Sequence, residues 1–143
     1  FFQDGSCLIG DAAKEQIMYN PLGTIKNVKE FMGDRLVVEV MEKIGQNLAD
    51  DHAHDMENRD LEGRVKEANR IMTLEGCIAT SEKHEDHYSM TAHNCPYLQV
   101  AETTPEICGI EVAFLKKALR TTVTLTDSVI GGSTNCKFHI AIE

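Results

Sequence analysis

Positive charge is what this sequence has least of: 14 Lys and Arg stand against 23 Asp and Glu, for a formal net charge of −9. The acids crowd between Asp50 and Glu67. Such a chain lacks the basic surface that neutralises phosphates, which makes it a poor DNA binder on its own. Long apolar runs are missing too. No stretch approaches the roughly 18 uninterrupted apolar residues of a membrane-spanning helix, and Phe1-Phe2-Gln3-Asp4-Gly5 has neither the charged region nor the apolar core of a signal peptide. The expectation is a soluble, cytoplasmic protein with no membrane partner. Internal repeats, low-complexity runs and glycine-rich phosphate loops are absent as well, so organisation must be read from punctuation and periodicity.

At 143 residues the chain can bury one respectable core but not two full-sized domains. Residues 1–33 read as a distinct opening. Cys7-Leu8-Ile9 suits a short strand, Asp11 to Tyr19 a helix, and Thr24 can cap a second helix that Gly33 stops after Met32. From Asp34 onward Leu36, Val37, Val40, Met41, Ile44 and Leu48 recur at helical spacing. A further helix is predicted over 61–74, presenting Val65, Ala68, Ile71 and Met72 and ended by Gly76. Residues 77–81 and 87–91 read as strands joined by the charged stretch 82–86. Pro96 and Pro105 suit first helical positions, which places helices over 96–103 and 105–119 with Thr104 as N-cap of the latter. Residues 121–129 and 136–142 form a second predicted hairpin around Gly131-Gly132-Ser133. The order ααββααββ implies an α+β domain over 34–143, with helices packed on an antiparallel sheet built from two hairpins.

Five cysteines are an odd number, and with no secretory signal a disulfide framework is disfavoured against metal binding, redox chemistry or core packing. Cys95, Cys108 and Cys136 fall at three predicted junctions: before one helix, in the first turn of the next, and at the start of the last strand. Helix N-termini carry unsatisfied N–H groups and partial positive charge, which lower a thiol's pKa and favour the thiolate that iron needs. The spacing is not a compact Cys-x-x-Cys pair, so by residues alone buried structural cysteine and metal ligand remain equal readings.

Other constellations are weaker. His52, His54, His84 and His87 invite a zinc reading, but residues two apart do not share a helix face, and hairpin histidines are usually solvated. Cys95 lies near His93, yet nothing marks an oxyanion site, so no enzyme is expected.

Residues from about Leu36 to Ile142 resemble the C-terminal sensor domain of SufR-type repressors, the winged-helix regulators of iron–sulfur cluster assembly genes. The resemblance is carried by His93-Asn94-Cys95-Pro96-Tyr97-Leu98-Gln99-Val100-Ala101-Glu102, by Pro105-Glu106-Ile107-Cys108 and by Gly131-Gly132-Ser133-Thr134-Asn135-Cys136, with cysteine intervals of 13 and 28 residues. It implies a 4Fe-4S cluster held by Cys95, Cys108 and Cys136 in a homodimeric, redox-sensing repressor supplied by the iron–sulfur assembly machinery. Zinc or a 2Fe-2S centre is the alternative cofactor. His93 ranks first as fourth ligand, ahead of His139 and Cys77. No basic recognition helix or β-wing precedes the sensor, so DNA is reached only through a winged-helix part absent from this sequence.

Residues 8–33 depart from that family. Gly10-Asp11-Ala12-Ala13-Lys14-Glu15-Gln16, Asn20-Pro21 and Thr24 to Gly33 resemble a short segment of the nucleotide-binding domain of the seventy-kilodalton heat-shock chaperones. That domain's phosphate loops have no counterpart here, so no ATPase is implied. A fusion, a borrowed start and chance similarity all remain open as explanations. The competing functional readings are a cluster-bearing electron carrier and a chaperone-derived structural fragment without a cluster.

Overall fold

A computed structural model describes the backbone of residues 21–142 and the side chains of residues 33–142. The predicted strand 7–9 and helix 11–19 lie outside the described residues, as do residues 8–20 of the chaperone-like segment. The first helix, α1 (Pro21–Asp51), is interrupted at Gly33, where φ 76° and ψ 163° leave the helical region. That geometry costs glycine little and any other residue much, which is why the helix breaks at this position. Val37 and Met41 are buried one turn apart on its second half.

After a single turn, α2 (Ala53–Met56), comes α3 (Leu61–Leu74), whose N-cap Asp60 accepts a hydrogen bond from Gly63 N–H at 2.8 Å. Val65, Ala68, Ile71 and Met72 are buried, as their spacing predicts. At its C-terminus Cys77 N–H donates to Met72 C=O and Gly76 N–H to Thr73 C=O, with Gly76 at φ 88°. This is a Schellman closure. It also explains a shift from expectation. Strand β1 (Ala79–Lys83) begins two residues later than predicted, because the Cys77 amide is spent on the helix end.

Strand β2 (His87–Ala92) follows, then the turn α4 (Leu98–Ala101), a 3₁₀ turn over Pro105–Cys108, and α5 (Gly109–Leu119). Thr104 stands at the predicted N-cap position, but its side chain makes no capping bond and is buried instead. Strands β3 (Val123–Asp127) and β4 (Cys136–Ala141) complete the fold, separated by a 3₁₀ turn at Val129–Gly131 that sequence reading assigned in part to a strand. All pairings are antiparallel, in the order β1-β2-β4-β3. The α+β fold with helices on a two-hairpin sheet is thus as expected.

One face of the sheet carries Tyr88, Met90, Ala92, Cys136, Phe138 and Ile140, which pack with α3 and α5 through Ile71, Phe114, Leu115 and Leu119. Burying each large side chain contributes about 1.5–3 kcal/mol. A satellite core of Val37, Met41, Val100, Ala101 and Ile107 joins α1 to α4 and the 3₁₀ turn, with Cys108 against it. Helices α1 and α5 cross so closely at Gly45 that a Cβ there would strike the Ile110 carbonyl and the Phe114 amide. No described helix is long and apolar enough to cross a membrane.

Candidate functional site

Sheet register gathers the late cysteines. Ala79, Ala92 and Cys136 form one row across β1, β2 and β4. Cys77 lies just before that row on one strand and Cys95 just after it on the next, so three cysteines share one end of the sheet. Cys108 enters from α5 as its N-cap residue. Asn94 fixes the join: its side chain accepts from Ile78 N–H at 2.7 Å and donates to Gly76 C=O at 2.8 Å, while the Cys77 thiol donates to the Asn94 carbonyl at 3.5 Å. The segment bearing Cys95 is thereby clamped to the end of α3.

Glu111, in the first turn of α5, acts electrostatically on all four thiols. Burial raises every one of them above the ordinary thiol value, and the nearby Glu111 carboxylate raises them further. Cys77 is pushed up to about 12 and Cys108 to about 11. The sulfurs also act on one another: Cys136 on Cys77, Cys95 and Cys108, and Cys95 on Cys77 and Cys108. This reverses the expectation of lowered thiol pKa at helix starts. Desolvation outweighs the partial charge of one helix end, and the carboxylate adds to it.

The four thiols are not equivalent. Backbone hydrogen bonds at Tyr97, Val129 and Cys108 itself favour the thiolates of Cys95, Cys136 and Cys108 respectively. Cys77 has no such help; its sulfur is engaged as a donor to the Asn94 carbonyl and interacts with Glu111.

Glu111 itself keeps part of its surface, yet its carboxyl is desolvated enough to be held above its ordinary value, with only a hydrogen bond from Cys77 opposing the rise. Between Cys77, Glu111 and Tyr97 lies a small cavity of about 30 Å³, walled by Leu48, Met72 and Phe114.

His93 is not brought to these thiols. It is exposed on the opposite face of the sheet, where its Nε2 stands 2.8 Å from Thr80 Oγ1. The chain leaves the strand after Ala92, so the alternation that would put His93 and Cys95 on one side does not hold. His139 alternates with Cys136 along β4 and also lies on the far face, stacked on His87 at 4.4 Å, with His87 stacked on His84 at 4.4 Å. His52 pairs with Asp55 at 3.0 Å. Among the described residues no group of three His, Cys, Asp or Glu side chains converges tightly enough for a single metal ion.

Glu111 and the Asn94 clamp were not singled out as site residues by sequence. The signal for Glu111 was available: it is an acid inside the apolar run Ile110 to Leu115, three residues after Cys108 and hence on the same helix face.

No protein-family model matches this sequence, and no curated protein matches it. Among solved structures, the phenol-responsive sensory domain of the transcription activator PoxR, determined with phenol, is similar at TM-score 0.57 and 11% identity. The match covers 94% of this chain and 76% of that one. The two share a fold. The finer resemblances, to SufR-type sensors and to the chaperone segment, rest on the quoted motifs alone.

Proposed function

We propose that this chain is the sensor domain of a transcriptional regulator, holding a 4Fe-4S cluster on Cys95, Cys108 and Cys136. What supports the reading is that sheet register and the Asn94 clamp bring Cys136 and Cys95 to one end of the sheet, while Cys108 stands at the N-cap of α5. The donor set fits. Soft thiolates suit iron–sulfur centres, and a cationic metal core removes the cost of gathering them beside a carboxylate.

A fold shared with a regulatory sensory domain supports the same reading. The cavity of about 30 Å³ beside Cys77 is of the order of one water and will not take an aromatic ring, so a small organic effector would have to use the open cleft of about 480 Å³ between α1 and α5, lined by Glu42, Gln46, Val112 and Lys116. A lone zinc ion is less well supported, since its thiolates would stand about 3.8 Å apart and the side chains do not converge to a single-ion site. In a cluster the thiolates bond different irons.

The cluster would supply reversible oxidation and loss under oxidants or iron limitation. The protein's part is mechanical. Cys95 is tied to α3 through Asn94, Cys108 opens α5, and Cys136 opens β4 beneath the turn at Val129–Gly131. Loading would cross-link these elements and loss would free them, a change that a homodimer or a separate DNA-binding partner can read. Anaerobic reconstitution with iron and sulfide should give a brown protein whose visible absorption is lost on oxidation, with slowed amide exchange over 93–98 and 128–136. A protein that stays colourless overturns the proposal.

A further inference from the structure

We infer that the stacked imidazoles of His84, His87 and His139 form an acid-released clasp, which holds the tip of the β1–β2 hairpin to the end of β4 and frees it when a second ring gains a proton. The clasp is independent of any cluster. His87 pairs with Ala141 at one end of the β2–β4 ladder and Ala92 pairs with Cys136 at the other, so the stack and the thiol row lie at opposite ends of the same two strands.

The geometry of the stack is specific. His87 is the middle ring, with His84 on one side and His139 on the other, each at 4.4 Å between centroids and with interplanar angles of 18° and 19°. Two short contacts fix the rings: His84 Nε2 meets Ser89 Oγ at 2.9 Å, and His87 Nδ1–H donates to Asp86 Oδ1 at 2.7 Å. The backbone of the same turn is closed by His84 N–H donating to His87 C=O at 2.8 Å, and it is tied to the residue after β4 by Ile142 N–H donating to Asp86 C=O at 3.4 Å. Parting the rings therefore strains both bonds.

Charge decides when the clasp opens. Imidazole is the side chain that gains charge across the mildly acidic range. A first proton on the middle ring is matched by Asp86, whose carboxyl is held below its ordinary value, first by the hydrogen bond from His87 and further by the charges of His87 and His139, and so stays ionised. A second proton sets two like charges face to face at 4.4 Å, and among the described residues no second carboxylate pairs with a ring of the stack. Other charge on this face is sparse. Glu82 of β1 lies opposite Ser89, Glu85 is exposed at the hairpin tip, and Lys137 of β4 faces Asp127 of β3, while the β3 residue opposite His139 is the neutral Thr124. Lys83 turns to the other side, over the Tyr88 ring, where the helices pack.

The test follows amide hydrogen exchange at His84 and Ile142 in the full apo chain by NMR, at about pH 7.5 and about pH 5, corrected for the intrinsic effect of pH. Protection at both amides should fall about tenfold in acid, relative to the Cys77 amide that closes α3 against Met72 C=O. His84→Phe combined with His139→Phe keeps three stacked rings but leaves one that can be charged, and should abolish the fall. His93→Phe, on the same face but outside the stack, should keep it. A wild type with no fall overturns the proposal, and so does a fall of full size in the double variant. If the phenylalanine pair melts below wild type at neutral pH, His84→Gln combined with His139→Gln replaces it: protection that does not change with pH supports the clasp, and an acid-driven fall of wild-type size overturns it.

Discussion

Among the described residues, packing takes water from the carboxyls of Glu67 and Glu111 and treats them in opposite ways. Glu67 on α3 sits against two guanidiniums, with Arg70 bridging on to Asp55 at 3.5 Å, a self-contained ionic cluster that needs nothing from outside. Glu111 on α5 meets thiols whose own ionisation it opposes. The first arrangement is complete as a fold element. The second is costly as it stands, because burial raises the carboxyl and the carboxyl in turn raises the thiols.

The largest expected effect comes from moving α5, and with it Glu111 and Cys108, away from the rest of the site. Gly45→Ala puts a methyl group into the backbone of Ile110 and Phe114, which cannot rotate aside. A loss of about 3 kcal/mol in urea unfolding is expected, with poor cluster loading. Next comes Glu67→Gln, which takes the Glu67 carboxylate from Arg59 and Arg70, leaving both on Asp55 alone, and should cost about 1–2 kcal/mol while leaving iron content unchanged. If Glu67→Gln instead abolished loading, the division between the two carboxylates would fail. Asn94→Ala removes the clamp on Cys95 and should cost a similar 1–2 kcal/mol, roughly one per lost hydrogen bond, and should also weaken loading.

The pH dependence of the apo protein sharpens the contrast further. Glu111 is held above its ordinary value in the folded state, so the folded state binds more protons and stability falls as pH rises above about 4.5. Glu111→Gln should remove that slope. The thiols act in the same sense at higher pH: with Cys77 at about 12 and Cys108 at about 11, stability is retained below the ordinary value of 9.0 and is lost as pH climbs through it toward those values. Thermal melts between pH 5 and 10 on both forms measure the two effects. The smallest change is expected from His139→Ala. It disturbs only the stack with His87 on the far face, and should leave both stability and loading within experimental error.

Much of this was legible in the sequence because periodicity and punctuation are local. Helix α3 matches its predicted span of 61–74 since Asp60 caps it and Gly76 closes it, and both signals lie within a few residues. The placement of Cys95, Cys108 and Cys136 at element junctions could be read in the same way. What could not be read was which face each ligand candidate would take. His93 looked close to Cys95 because it is two residues away, but the strand ends between them and sends one outward to Thr80 and the other inward. Conversely, Glu111 is 16 residues from Cys95, and only the packing of α5 across the end of the sheet makes them neighbours. Desolvation, which turned the expected thiol shifts around, is a property of that packing as well.

The central claim is most directly tested by counting iron and acid-labile sulfide in the anaerobically reconstituted wild-type chain beside Cys108→Ala. About four of each per wild-type chain, with less than one in the variant, is the predicted outcome. A wild type without sulfide, or a Cys108→Ala chain that holds as much iron and sulfide as wild type, would contradict it.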